Sequence, residues 1–440
     1  MLIAVDDTDS RQGMCTTFLA TELIKEFQEY SLTDHPRLVR LNPNVPWKTR
    51  GNGAVVLSLG PKRERGNEKQ IGDIGGSIRA AKGDDEIDGG CENKRDIFHR
   101  TKEVVEKWSE TDVKGTNPGL VIADSRPPRK YYEDAVKGVV ELKDILTYLK
   151  RSTHLFQGYK NGRGLIGATS ALAWTPEDFT YEFIAYRKKD RWGTERDIEE
   201  DSVKQLDSEL EHSFDTYDHR LDKQVVSPNS PCPVLYGVRG DEPEELKESL
   251  NIVKNEQPAR WLIFLTNQGT DDHIQKKRLT QLTPWESVKV KGTVNTEPRV
   301  IEGGHVFFEF SDGDEQITAA AYEPTKTFRD IVKRLIPGDE LMIWGGVRKE
   351  PRSINIEKIK VLKTAEKVVK VGNPICPKCK TRMSSIGKNA GFRCKKCSEK
   401  AKESDIETKT VEREIEPRYY ETPVVARRHL SKPLKRIKRS

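Results

Sequence analysis

Apolar and polar positions follow two different periods along this 440-residue chain. A short apolar run at 2–5 leads into acidic residues, and apolar residues then recur at helical spacing from 18 to 27. This pattern predicts a buried strand, a polar turn and a helix that begins near Thr16. Comparable apolar runs predict further buried strands, with helical segments between several of them, and indicate an α/β arrangement. These runs lie at 54–57, 119–123, 234–238 and 261–265.

The pattern changes to strands from residue 288 onward. Three alternating segments are followed by a short helical segment and two more strands, which is the element order of an OB-fold barrel. We therefore predict an OB-fold domain at 282–364. Such barrels often bind single-stranded nucleic acid, and a purely structural barrel is the alternative. The segments are 288–294, 305–310, 316–322, 328–335, 341–345 and 354–362.

Three carboxylates, Asp6, Asp7 and Asp9, stand where the first strand must end and before the helix begins. Like charges this close favour a bound cation, and Mg²⁺ typically takes one or two protein carboxylates together with substrate phosphates. The free N–H groups of the helix N-terminus would favour the phosphate. A capped turn without metal is the alternative. A calcium loop of the EF-hand type is excluded, because Gln12 and Phe18 replace its required Gly and Glu.

Two C-x-x-C pairs near the C-terminus form the strongest local signal. Each pair aims two thiolates at one point, and four thiolates provide the tetrahedral shell of a structural Zn²⁺. We predict that all four shell positions are filled by protein, so that no position is open for catalysis. The ligands are Cys376, Cys379, Cys394 and Cys397.

Two further polar segments suggest ligand binding. The loop at 42–53 contains Lys48, Arg50, Gly51 and Asn52, which suit a nucleotide or a polynucleotide backbone, although an ordinary connection would also fit. The segment 266–273 follows a buried strand, a position where α/β sheets bind ligands, although a plain polar loop would also fit. Its candidate binding residues are Asn267, Gln268, Thr270 and His273.

Composition and missing motifs exclude several classes. Charged residues make up 33% of the chain and no apolar run is long enough to span a bilayer, so we expect a cytoplasmic protein without membrane contact. The G-x-G-x-x-G at 162–167 follows no strand, which argues against a dinucleotide fold, and the absence of a Walker A sequence excludes a P-loop kinase. The segment 427–440 carries seven Lys or Arg and no acid. Either a solvated tail or an RNA-binding arm would explain it.

Three of these segments carry a family resemblance. The stretches DDTDS and GMCTT near the N-terminus, LNPNVPWKTRGN at 41–52 and TNQGTDDH at 266–273 resemble motifs of archaeal tRNA 2-agmatinylcytidine synthetases. The resemblance implies a multidomain α+β protein. Its parts would be a kinase-like domain at 1–115 that 232–275 completes, a ferredoxin-like domain at 116–231, the OB-fold, a zinc ribbon at 370–402 and a basic tail at 403–440.

The resemblance also implies an activity. Family members are ATP-dependent ligases that join agmatine to C2 of the wobble cytidine of the isoleucine tRNA with a CAU anticodon, through a phosphorylated cytidine, which allows AUA to be decoded. ATP ends as AMP and phosphate. Thr16 corresponds to a threonine that becomes phosphorylated, and Asp6, Asp7 and Asp9 would hold Mg²⁺. The phosphate-binding roles of Lys48 and Arg50 rest on their charge alone. No obligate protein partner is expected.

Two other classes stay open at this point. One is a non-catalytic RNA-binding protein built on the OB-fold and the zinc ribbon, which leaves the acidic cluster unexplained. The other is a metal-dependent kinase of a small molecule or a protein, which leaves the OB-fold and the ribbon without a role.

Overall fold

The computed structural model describes residues 1–48, 51–62, 68–80 and 93–438. Helices of the first 275 residues are α1 (Thr16–Glu26), α2 (Lys94–Trp108), α3 (Lys130–Lys137), α4 (Leu142–Arg151), α5 (Gly164–Leu172), α6 (Glu200–Glu209), α7 (Pro243–Leu246) and α8 (Ser249–Ile252). The strands before residue 270 are β1 (Leu2–Asp6), β2 (Tyr30–Leu32), β3 (Arg37–Arg40), β4 (Gly53–Pro61), β5 (Lys69–Asp73), β6 (Ser77–Ala80), β7 (Gly119–Ala123), β8 (Leu155–Gly158), β9 (Thr180–Tyr186), β10 (Ser213–Phe214), β11 (Tyr217–Asp218), β12 (Lys223–Gln224), β13 (Val234–Gly240) and β14 (Arg260–Thr266).

The first strand lies inside a long mixed sheet, between β4 and β7. Its alternate residues enter two separate cores: Ile3 and Val5 pack with α1 and α2, whereas Leu2 and Ala4 pack with α5 on the opposite face. A strand covered on both faces is apolar at every position, which explains the uninterrupted run at 2–5. The predicted strand and helix at the N-terminus are confirmed.

The sheet differs from the predicted boundary between the first two domains. β7 pairs with β1 and β8 pairs with β7. The chain beyond residue 115 therefore continues the half of the sheet that contains β1, here called the first half. β13 and β14 instead flank β9. The segment 232–275 therefore joins the half of the sheet that contains β9, here called the second half. The difference arises because pairing between distant strands depends on which faces they bury together, and that information is absent from local periodicity.

The C-terminal half contains the predicted barrel and ribbon, which confirms the multidomain α+β fold. Strands β16, β18, β19, β20 and β21 enclose a core that includes Phe308 and Phe310, with one helix packed against it. The strands and helices of the whole C-terminal half are β15 (Ile274–Lys276), β16 (Ser287–Val294), β17 (Arg299–Val300), β18 (Val306–Ser311), β19 (Gln316–Ala321), α9 (Phe328–Val332), β20 (Glu340–Arg348), β21 (Ser353–Lys363), β22 (Lys367–Gly372), β23 (Ser384–Ser385), β24 (Phe392–Arg393), β25 (Lys400–Ala401), β26 (Glu407–Val411), β27 (Tyr419–Glu421) and α10 (Leu434–Ile437).

The basic C-terminus is neither a solvated tail nor a free arm in this structure. After β27, which joins the barrel sheet beside β21, the chain runs back onto the first 275 residues. Leu430 is 1% exposed and Arg436 is 8% exposed. Four of its cations, Arg427, Arg428, Lys432 and Arg436, form internal ion pairs, which composition alone could not indicate.

Candidate active site

A cavity of about 750 Å³ opens at the end of β1. It lies between the start of α1, the loop 42–53, the start of α5 and strands β9 and β13. The structure therefore brings together two segments that the sequence singled out separately. The predicted site residues that line the cavity are Asp6, Asp7, Asp9, Thr16, Lys48, Gly51 and Asn52.

Asp6 is the innermost of the three carboxylates. It is 8% exposed, and burial together with the neighbouring Asp7 raises the pKa of Asp6 to about 8. Its carboxylate lies against Gly167 in α5, where an added Cβ would be 2.5 Å from the Asp6 Cγ. The prediction that no strand precedes the G-x-G-x-x-G segment is wrong, since β8 ends at Gly158. The last glycine of the segment leaves room for Asp6, which is a role other than dinucleotide binding.

Asp7 and Asp9 are held by the segment that precedes β7. Asp7 has a left-handed backbone (φ 54°), and its Oδ2 accepts hydrogen bonds from the backbone N and the side-chain Nδ2 of Asn117, each at 3.1 Å. Thr116 Oγ1 donates to the backbone oxygen of Asp9 at 2.9 Å. Within the described residues, the four zinc-ribbon cysteines alone bring three or more potential ligand atoms within 4.8 Å of one another. Asp6, Asp7 and Asp9 do not form such a group in the part of the chain that the structure describes.

The N-terminus of α1 faces these carboxylates. Cys15 is the N-cap residue and makes no side-chain capping hydrogen bond. The first amides that bond back to Cys15 are those of Phe18 and Leu19, so the amides of Thr16 and Thr17 are not used by the helix. Thr16 accepts a hydrogen bond from Thr8 Oγ1 at 3.0 Å. Free amides at a helix start suit an anionic group.

The loop 42–53 supplies cationic and aromatic groups to the cavity. Burial and the nearby Arg428 lower the pKa of Lys48 to about 8, and its ammonium donates to the Pro43 backbone oxygen. Arg163 from the start of α5 lies over the Trp47 ring at 4.4 Å. Arg50, the second predicted cation, lies outside the described residues.

The segment 266–273 lies behind the cavity wall. Asn267, Gln268 and His273 are 0% exposed and Thr270 is 8% exposed, and none of the four lines the cavity among the described residues. Asn267 bonds the backbone of Arg40 in both directions at 2.8 Å, and Gln268 Nε2 donates to Glu182. Asn267 and Gln268 therefore support the cavity residues Arg40 and Glu182 from behind.

Several charged residues of the cavity were missed by the sequence reasoning. Glu182 on β9 lies 3.4 Å from Arg239 on β13 and 4.0 Å from Arg40, and Asp215 lies 3.6 Å from Arg239. Burial lowers the pKa of Arg40. A charged residue inside an otherwise apolar strand segment can indicate a functional site, and both Glu182 and Arg239 occupy such positions.

The four cysteines of the ribbon converge as predicted. Their sulfur atoms lie within 4.8 Å of one another, and Cys376 Sγ is 3.5 Å from Cys397 Sγ. Backbone amides of Cys379 and Lys396 point at thiolates at 3.4 Å, which helps to balance the charge of a tetrathiolate. The donor set and spacing fit a structural Zn²⁺.

A charged catalytic cavity joined to an OB-fold barrel and a Cys₄ ribbon defines an enzyme that acts on a nucleic acid. Comparison with known families makes this specific. Residues 2–161 match the TiaS TCKD domain, 162–273 the TiaS FLD domain, 288–362 an OB-fold nucleic acid binding domain and 373–415 the TiaS C-terminal zinc ribbon domain.

Full-length relatives give the same result. The chain is 41% identical to the isoleucine-tRNA 2-agmatinylcytidine synthetase TiaS of Methanocaldococcus jannaschii, with 99% of each chain covered. It is 40% identical to the enzyme of that name from Archaeoglobus fulgidus, covering 99% of this chain and 97% of the relative. The chain belongs to the tRNA 2-agmatinylcytidine synthetase family.

Solved structures agree with this assignment. A complex of TiaS with its isoleucine tRNA and ATP superposes with a TM-score of 0.83 at 38% identity, covering 99% of this chain and 97% of that one. A complex of TiaS with the same tRNA, AMPCPP and agmatine gives a TM-score of 0.81 at 36% identity, covering 99% and 96%. The predicted family is confirmed, and membership decides against a non-catalytic RNA-binding protein and a simple kinase. Within the described residues, no helix is both long and apolar enough to cross a membrane.

Proposed function

We propose that this chain is an ATP-dependent ligase that joins agmatine to C2 of the wobble cytidine in the isoleucine tRNA with a CAU anticodon. Family membership over the whole chain supports the reaction, and relatives of this family have been solved with this isoleucine tRNA, ATP and agmatine. The observation that carries the proposal is the cavity, which places three carboxylates and an open helix N-terminus opposite arginine and lysine side chains.

The chemistry explains why ATP is needed. The C2 carbonyl of cytidine is a poor electrophile, and its oxygen is a poor leaving group. Transfer of a phosphoryl group to that oxygen converts it into a phosphate ester, and the primary amine of agmatine then attacks C2. A C–N bond forms, the C–O bond breaks and phosphate leaves with the electron pair. The protein contributes positioning and charge stabilisation to the phosphoryl transfer.

We further propose that Asp6, Asp7 and Asp9 hold Mg²⁺ together with the ATP phosphates. The fit rests on three carboxylates lining one cavity and on the burial of Asp6. This arrangement matches the preference of Mg²⁺ for a few carboxylates plus phosphate oxygens. Bound Mg²⁺ would neutralise charge that develops on the transferred phosphoryl group.

The remaining predicted residues have distinct proposed roles. Thr16 is a phosphoacceptor in addition to the cytidine oxygen, because it stands at the open N-terminus of α1 beside the acidic residues. Lys48, Arg50, Gly51 and Asn52 bind phosphate of ATP or tRNA. Asn267 and Gln268 act indirectly, by holding Arg40 and Glu182 from behind. Thr270 supports them by donating to the Asn267 backbone oxygen. His273 is buried in the same segment, and its ring nitrogens have no hydrogen-bond partner among the described residues.

The tRNA would be held by the barrel and the ribbon as well as by the cavity. On the barrel sheet, Lys360 lies 4.6 Å from the half-buried Tyr419 ring. Trp344, beside Lys289 at 4.8 Å, is 5% exposed and is too buried to stack on a base. A cation next to an accessible aromatic ring suits a polynucleotide backbone and its bases.

Mass spectrometry tests the proposal directly. The isoleucine tRNA with a CAU anticodon is incubated with protein, ATP and agmatine, and the anticodon fragment is analysed. We expect one added agmatine per tRNA, with the carbonyl oxygen lost. A tRNA whose wobble base is uridine should stay unmodified. An unchanged mass of the CAU tRNA under conditions of full zinc occupancy would contradict the proposal.

A further inference from the structure

The C-terminal segment 422–438, here called the C-terminal strap, crosses three parts of the molecule. It leaves the barrel after β27 and lies on the segment 266–273, here called the docking strip. On the way it bonds the loop 42–53, because Arg428 donates to Asn44 and pairs with Glu357 of the barrel at 2.9 Å. The strap thus connects the barrel to both sides of the active-site cavity.

Backbone hydrogen bonds attach the strap to the docking strip. The amide of Gly269 donates to the oxygen of His429 and the amide of Asp271 to that of Leu430, both at 2.8 Å. The Asp271 side chain accepts from the Lys432 amide at 2.6 Å. The sequence suggested that the polar groups of the docking strip bind a ligand. Some of these groups instead bind the chain's own C-terminus.

Ion pairs anchor the far end of the strap. Arg436 in α10 pairs with Asp178 at 2.8 Å and with Asp241 at 2.7 Å, and it donates to the Gly269 oxygen. Lys432 also reaches Asp178 at 3.1 Å. Arg436 is 8% exposed, whereas its partners Asp178 and Asp241 are 35% and 26% exposed, so the pairs are partly shielded from solvent and should help to hold the strap.

The middle of the strap enters the cavity wall. Arg427 pairs with the cavity residue Asp215 and, at 2.6 Å, with Glu421. His429 lines the cavity with a partly exposed ring, and its buried Nδ1 has no hydrogen-bond partner among the described residues. The charges that act on this ring are those of Arg40, Arg239 and Lys48. Arg40 and Arg239 also pair with Glu182, but the cations that surround the ring still favour an anionic group beside it.

We propose that the C-terminal strap is a working part of the active site, and that the docking strip holds it so that His429 contacts a substrate phosphate. The phosphate belongs either to ATP or to the tRNA backbone. This inference rests on the proposed function and adds a positioning device to it. Arg436 is a positioning residue in this view, since it acts through the strap from outside the cavity.

The first test compares two neighbouring cations of α10. Arg436→Met removes the anchor, and Lys435→Met removes an exposed charge from the same turn. Hydrogen exchange is followed at the Gly269 and Asp271 amides, with the Leu265 amide, which donates to Pro36, as an internal reference. We expect Arg436→Met to expose the two strap-bonded amides and to slow agmatine transfer by about tenfold or more. Lys435→Met and the Leu265 amide should be unchanged.

The second test separates the two sources of phosphate. His429→Leu replaces the imidazole ring by an apolar side chain of similar size and so removes both ring nitrogens. Loss of affinity for ATP alone would assign the contact to the triphosphate, and loss of affinity for tRNA alone would assign it to the backbone. His429→Gln, which retains an amide donor, should recover part of the loss. Wild-type affinity of His429→Leu for both substrates would overturn the contact.

Other results would overturn the positioning role. Exposure of the Gly269 and Asp271 amides with full activity would show that the strap is only structural. Slower transfer with both amides still protected would show that Arg436 acts by another route. If Arg436→Met does not fold, Arg436→Lys keeps the charge, and it should then show intermediate exchange and intermediate activity. Wild-type protein that modifies tRNA in the same assay keeps the proposed function intact whichever way the strap variants behave.

Discussion

At the scale of single residues, Gly167 and Asp6 depend on each other although they are far apart in the sequence. The side chain of Asp6 occupies the space that a Cβ on Gly167 would need. In Gly167→Ala, either the carboxylate or α5 must move. Because alanine is favoured over glycine inside a helix by about 1 kcal/mol, the helix itself should not be weakened.

We therefore expect Gly167→Ala to lose agmatine transfer by about tenfold to a hundredfold while the unfolding temperature stays near that of the wild type. Steady-state transfer assays and thermal denaturation measure the two quantities. Ser170→Ala, one turn further along the same buried helix, is the matched control and should keep its activity. A fall in unfolding temperature that parallels the loss of activity would mark Gly167 as a packing residue only.

Thr16 carries the second prediction at this scale. Its hydroxyl stands at an open helix N-terminus in the cavity, and a phosphorylated side chain there would be stabilised by the free amides and by a bound cation. We expect metal-dependent labelling of Thr16 by ATP. Thr16→Ala should lose the label and most agmatine transfer with zinc content unchanged, whereas Thr17→Ala should keep the label. Phosphopeptide mapping that places the label elsewhere would refute this assignment.

At the scale of elements, the zinc ribbon has little apolar core of its own. Its buried cluster consists of Cys376, Cys394, Met383 and Phe392, so two of its four buried members are metal ligands. Metal binding should supply much of its folding free energy. The strands β23, β24 and β25 are two residues each, too short to be stable without the metal.

We expect Cys394→Ser to release zinc and to unfold the ribbon while the N-terminal sheet stays intact. Elemental analysis measures the zinc, and hydrogen exchange across β24 and β1 compares the two regions. Cys232→Ser, a buried cysteine of another domain, should retain a full equivalent of zinc. The prediction would be contradicted if wild-type protein purified without chelator contained no zinc and its ribbon were still fully folded.

At the scale of the whole molecule, we propose that catalysis and most contacts with the tRNA lie on different parts. The acidic residues lie in the first half of the sheet, whereas the barrel and the ribbon form separate cores. We expect Asp7→Asn to abolish ATP-dependent transfer and to leave tRNA affinity nearly unchanged, because the variant removes one metal-binding charge and no barrel contact.

Transfer assays and tRNA titrations measure the two properties of Asp7→Asn separately. Asp124→Asn is a matched control, since Asp124 also follows a buried strand but lies outside the cavity lining. It should behave like the wild type in both assays. An equal loss of tRNA binding and transfer in Asp7→Asn would instead identify the acidic cluster as structural.

The sequence alone determined those features that depend on residues close to one another along the chain. The strand and helix around the acidic cluster, the element order of the barrel and the four zinc ligands follow from periodicity and from C-x-x-C spacing, because neighbours in sequence are neighbours in space there. The meeting of Asp6 with Gly167, the use of Glu182 and Arg239 in the cavity, and the burial of the docking strip under the strap were decided only by the tertiary structure. Each of these joins residues that are far apart in the sequence, and which distant segments come together depends on the packing of the whole chain.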